Sequence, residues 1–165
     1  MSKVLKFESS KVQDPHDAVL AKVSAALARA TDAVGAMERA VAVLKQEITY
    51  YSWVGIYLVD GDELVLGPFL GKPSPHTRIP LGRGICGAAA TEKRTIVVDD
   101  VNADPRYLAC SIETKSEIVA PIMQGTRVLG EIDIDSDRPA AFGPADRQLL
   151  EAVAALLAPR LTGQG

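Results

Sequence analysis

"EIVAPIMQGTRVLGEIDID" (residues 117–135) decides the fold. Two largely apolar runs flank a turn at Gly125, and in the second run polar and apolar residues alternate. Period two is strand geometry, because successive side chains leave a pleated backbone on opposite faces. The stretch therefore reads as an antiparallel hairpin. In "EIDID" the alternation puts Glu131, Asp133 and Asp135 on one face and Ile132 and Ile134 on the other. Three carboxylates in register suit a solvated sheet face. Otherwise a cation or bound protons must relieve their repulsion, as at a site for an ammonium group or for an acid that keeps its proton.

The same period recurs upstream. "YSWVGIYLVD" (51–60) places Tyr51, Trp53, Gly55 and Tyr57 on one face and Ser52, Val54, Ile56 and Leu58 on the other. "DGDE" (60–63) is a hairpin turn, and "LVLGPF" (64–69) returns as a second strand. "GICGAAATEK" (84–93) reads as a short helix, "TIVVDD" (95–100) as a strand, and 71–84 and 101–115 as loops.

Helical signals lie at the two ends. Asp14 is an N-cap candidate with Pro15 at the first helical position, and Leu20, Val23 and Leu27 recur at helical spacing. Thr31 is a cap candidate for a second helix whose stripe is Val34, Met37, Val41, Leu44 and Ile48. Pro144 opens a last helix with Leu149, Val153, Leu156 and Leu157 on its apolar side. Hairpins outnumber crossovers, so the expected class is α+β: a mainly antiparallel sheet flanked by an N-terminal helical hairpin and a C-terminal helix. No internal repeat or linker divides residues 1–165, and 1–13 read as a loose lead-in to one domain.

Composition narrows the function. The 165 residues are 47% hydrophobic, and no apolar run is long enough to span a bilayer. The first residues hold no apolar core of an export signal. A net charge of −3 argues against a general nucleic-acid binder. Two cysteines and no export signal point to a reducing cytoplasm, where a thiol pair is catalytic, redox-active or inert rather than a permanent staple.

Those thiols are Cys86, near the start of the short predicted helix, and Cys110, in a polar loop. A helix N-terminus favours anions, so the position of Cys86 allows a lowered thiol pKa; both cysteines also suit inert packing. Trp53 and Tyr57 share a strand face, either as core packing or as an aromatic wall for a cationic or sulfur-containing ligand. "GRGICG" (82–87) has dinucleotide-motif spacing, but "SPHTRIPL" before it lacks the buried strand that such a site needs. The histidines and cysteines have no metal-ligand spacing, so no metal or other cofactor is expected.

In order and spacing, "YSWVGIYL", "LVLGPFLGK", "RIPLGRGICG" (78–87), "DV" (100–101), "AC" (109–110), "SEIVAPI" (116–122) and "GEIDIDS" (130–136) resemble the free methionine-(R)-sulfoxide reductases, which are stand-alone GAF domains. The resemblance implies six antiparallel strands with helices, and reduction of free methionine (R)-sulfoxide. It also implies that Cys110 is the nucleophile, Cys86 the resolving cysteine, and Trp53 and Tyr57 the aromatic wall. Glu117, Asp133 and Asp135 would be the acidic positions, with Glu117 the proton donor and an aspartate holding the substrate ammonium. A sulfenic acid on Cys110, a disulfide to Cys86 and recycling by thioredoxin would follow, in a possible homodimer. The alternatives are a non-catalytic small-molecule sensor and a thiol redox sensor. Two departures from the family pattern stand out. "KPSPHT" (72–77) lacks the third cysteine that many members carry before "RIP". "SIETK" (111–115) replaces an acid after the nucleophile position with Ser111 and adds Glu113 and Lys115.

Overall fold

The computed structural model describes residues 14–109 and 111–162. The lead-in expected at 1–13 lies outside them. Two helices come first, α1 (Pro15–Ala28) and α2 (Ala33–Glu47). Asp14 caps α1, its carboxylate accepting from the His16 N–H, with Pro15 at the first position as expected. The cap of α2 is Asp32 and not Thr31: the Asp32 carboxylate accepts from the Gly35 N–H at 2.7 Å. The stripe of α2 also shifts. Ala33, Ala36, Met37, Ala40, Val41 and Leu44 are buried, whereas Val34 is 53% exposed. Small alanines, silent in a reading of large apolar residues, let α2 approach its neighbours closely.

Six strands form one antiparallel sheet in the order β3-β2-β1-β6-β5-β4. They are β1 (Trp53–Asp60), β2 (Glu63–Leu70), β3 (Arg78–Pro80), β4 (Ile96–Val98), β5 (Ser116–Gln124) and β6 (Arg127–Ser136). The opening stretch is the β5–β6 hairpin, paired from Ser116↔Ser136 to Gln124↔Arg127. Strand β3 falls in the region expected to be loop. It is a three-residue edge strand ending in proline, too short to show a period. Between the strands sit α3 (Gly84–Glu92), where a short helix was expected, and a 3-10 turn at Val101–Ala103; α4 (Pro144–Thr162) closes the chain.

Each sheet face carries its own core. Val54, Ile56, Ile118, Ala120, Ile122, Ile132 and Ile134 pack on one side against α1, α2 and α4. Trp53, Tyr57, Leu64, Ile79 and Val119 face the other way, under α3 and the loops. Tyr51 departs from its expected face: it precedes β1, so strand parity does not govern it, and it packs on the helix side. There its hydroxyl donates to Asp146 at 2.7 Å. The Tyr50 hydroxyl donates to the same oxygen at 2.6 Å, and His16 Nε2 approaches it at 2.9 Å. The Gly143 N–H donates to the other oxygen at 2.9 Å. Burial alone would raise the Asp146 pKa; these hydrogen bonds outweigh it and hold the carboxyl below its ordinary value. One carboxylate thus ties α1, the lead-in to β1 and the start of α4 together.

Candidate active site

The sheet register assembles the site. Trp53 of β1 lies opposite Asp135 of β6, and Asp135 lies opposite Glu117 of β5. One step along, Gly55 faces Asp133, and one further, Tyr57 faces Glu131. The expected wall and the expected acids therefore meet across neighbouring strands. The acidic strip is no solvated face: Glu117, Glu131, Asp133 and Asp135 are all buried. Cys86, third residue of α3, lies over them, its Sγ 3.8 Å from Glu117 Oε1. Six of the seven expected site residues share this side of the sheet. The seventh, Cys110, lies outside the described residues.

A close approach seats the aromatic wall. A Cβ on Gly55 would stand 2.2 Å from the Trp53 ring, so glycine there lets the indole lie flat over the strand. The ring stacks on Phe69 at 5.6 Å between centroids and lies 6.5 Å from Tyr57. Its indole N–H donates to the Lys72 carbonyl at 3.0 Å, and the Tyr57 hydroxyl donates to the His76 carbonyl at 2.8 Å. Both rings are thus pinned to the loop at 71–77, and His76 Nε2 in turn reaches the Ala109 carbonyl at 3.0 Å. On the opposite side, Gly84 has φ +69°, a left-handed backbone that glycine adopts freely, and it turns the chain into α3 against Leu108.

Beside this wall is a pocket of about 200 Å³ lined by Trp53, Lys72, Ser74, Glu113 and Asp135, among others. A second cavity of about 20 Å³ is lined by Tyr57, Cys86, Glu117 and Asp133, among others. Lys72 and Glu113 form an exposed ion pair at the rim of the larger pocket. The same Glu113 that marks the altered loop therefore belongs to the pocket wall. Lys72, Ser74 and Glu113 were not expected in the site, because no motif points to loop residues that only the fold brings together.

Burial controls the charges. Desolvation raises the Asp135 pKa well above 3.8, and the neighbouring Asp133 charge adds to it. Asp133 is raised by the same burial, while hydrogen bonds with Glu117 and Cys86 pull the other way. A hydrogen bond between two carboxyl groups requires a proton on one of them, so Glu117 and Asp133 can hold a transferable proton. Burial, with Asp133 adding, also holds Glu131 well above 4.5. The Cys86 thiol is pushed well up, first by burial and then by Asp133, Glu131, Glu117 and Asp135. The helix N-terminus thus does not lower it, contrary to the expectation from position alone. Desolvation and four acids outweigh half a unit of dipole charge.

The arrangement combines an aromatic wall, carboxyl groups able to bind an ammonium or deliver a proton, and a thiol. Residues 17–161 match the GAF domain model. The chain is 36% identical over 134 residues to the free methionine-R-sulfoxide reductase of Escherichia coli (strain K12), spanning 81% of each chain. It is 35% identical over 158 residues to GAF domain-containing protein A of Dictyostelium discoideum, spanning 95% of this chain and 99% of that one. The solved structure of the free methionine-R-sulfoxide reductase of Neisseria meningitidis, in complex with its substrate, has a TM-score of 0.84 at 42% identity. It covers 88% of this chain and 87% of that one. Fold, site pattern and these likenesses converge: the chain belongs to the GAF domain family, and within it to the family of the free methionine-R-sulfoxide reductases.

Proposed function

We propose that this protein is an oxidoreductase that reduces free methionine (R)-sulfoxide to methionine, as its relatives' names state for them. The observation that carries the reading is the buried row of Trp53, Asp135 and Glu117 across β1, β6 and β5, with the Cys86 thiol over it. A free amino acid brings an ammonium group that a peptide-bound methionine lacks. Asp135 and Asp133 suit that group, and the face of Trp53 suits the thioether side chain. Lys72, on the pocket wall, suits the α-carboxylate.

The chemistry needs a nucleophile, a proton and a second thiol. Cys110, whose loop follows Ala109, is the nucleophile in this reading. Its thiolate attacks the sulfoxide sulfur, and Glu117 supplies a proton to the oxygen. The oxygen ends on the Cys110 sulfur as a sulfenic acid and methionine departs, the two electrons having come from the thiol. The Cys86 thiol then displaces that oxygen as water and forms the Cys86–Cys110 disulfide. A dithiol of the thioredoxin class reduces it, its own sulfurs becoming the new disulfide. Because the Cys86 pKa is raised, its proton must be taken as it attacks, and Glu117 at 3.8 Å is placed to take it. Cytoplasmic residence and a homodimer accord with this cycle.

Methionine release from free methionine (R)-sulfoxide tests the proposal. Wild type turns over with dithiothreitol or thioredoxin, Cys110→Ser is inactive, and Glu117→Gln is slower by roughly 10²-fold or more. Cys86→Ser completes one turnover and then stalls with thioredoxin. Turnover by Cys110→Ser equal to wild type refutes the catalytic reading. Normal cycling of Cys86→Ser with thioredoxin refutes only its resolving role.

A further inference from the structure

We propose that the reduced protein holds one divalent cation of the zinc class on Cys86, Glu117 and Asp133. One ligand atom from each of these buried side chains falls within 4.8 Å of the other two. Cys86 Sγ and Glu117 Oε1 are 3.8 Å apart. A tetrahedral zinc ion with a sulfur at about 2.3 Å and a carboxylate oxygen at about 2.0 Å separates the two by about 3.5 Å. That pair needs only a few tenths of an ångström of closure. The cavity that Cys86, Glu117 and Asp133 line is about 20 Å³, room for a single water-sized body.

An unpartnered atom supplies the second observation. Asp133 Oδ1 is buried and has no hydrogen-bond partner. Buried carboxyl oxygens are normally satisfied, so the open Oδ1 of Asp133, which lines this cavity, points to a ligand. Charge points the same way. No lysine or arginine lines this cavity. A dication offsets two of the three negative charges that one thiolate and two carboxylates would bring into this buried site. The donor set selects the metal: a thiolate with carboxylates suits zinc or cobalt, while magnesium and calcium need an all-oxygen shell. Binding requires loss of the Cys86 proton, which the cation's own charge drives.

Binding is read without turnover, so this site and the reductase activity stand or fall separately. Metal-free protein, reduced with a phosphine, is titrated with Co²⁺ and then with Zn²⁺. Wild type and Cys110→Ser are expected to bind one Co²⁺ with a thiolate-to-cobalt charge-transfer band that one equivalent of Zn²⁺ abolishes. Cys86→Ser should lose the band. Asp133→Asn, checked for folding by circular dichroism, should bind at least about tenfold more weakly. Persistence of the band in Cys86→Ser, its loss in Cys110→Ser, wild-type affinity in Asp133→Asn, or equal binding of Mg²⁺ would each overturn the proposal.

Discussion

Glu131 is completely buried, and neither of its carboxyl oxygens has a hydrogen-bond partner. An ionised carboxylate there carries a desolvation cost to which the Asp133 charge adds, and the Cys86 thiol offsets only part of it, which is why its pKa is raised. Above its ordinary 4.5, the native state keeps a proton that the unfolded chain has released. Stability from this group is therefore complete below 4.5 and drains away as pH rises through the native value. Glu131→Gln removes that dependence while keeping the shape. Melting curves across pH should converge for the two proteins in mild acid and separate in alkali. There the variant should be more stable by roughly 1–3 kcal/mol, or about 2–10 °C. A constant offset across pH would show that Glu131 does not ionise as described. The in-phase aromatic pair is visible from period two alone, and so is the strip Glu131, Asp133, Asp135. Its burial is not, because α3 and the loops that cover it are placed by contacts far apart in the chain.

At the scale of elements, β1 works as a seat for one ring. Gly55 leaves the space over which the Trp53 indole lies, and Phe69 of β2 stacks on it. Gly55→Ala puts a methyl group 2.2 Å from that ring, so the indole must leave or the strand must shift. The expected outcome is a KM raised at least about tenfold, the order of one or two kcal/mol, with a changed emission spectrum from the single tryptophan. An unchanged KM would remove Trp53 from the substrate pocket. Among the elements, the long strands and helices are legible because their periods run for several residues. Strand β3 is not, since Arg78, Ile79 and Pro80 are too few to show alternation. Nor is the shared pocket wall of Lys72 and Glu113, where the loop at 71–77 meets the loop at 111–115 through an ion pair that no local pattern encodes. Ile112, beside Glu113 in the chain, is 94% exposed and has no packing role among the described residues.

Across the whole molecule, the sheet separates two tasks. The helix side holds the larger apolar core, and the opposite side holds the proposed site. Damage to the first should therefore cost stability and spare the second. Leu150 is fully buried on α4, and Leu150→Ala should cost about 2–5 kcal/mol. Assayed well below its lowered melting temperature, this variant should keep the wild-type KM; a large change in KM would show that the two faces are mechanically coupled. The Asp146 knot has a consequence in time as well as in space. Asp146 is synthesised 130 residues after His16, which it holds, and at ordinary elongation rates that is a delay of roughly 6–26 s. Until then α1 has left the ribosome with Val19, Val23 and Leu27 lacking their α4 cover. The central β1–β6 pairing likewise waits for the last strand. The domain therefore acquires its native form only once α4 has been made, α1 staying unclasped until that helix arrives.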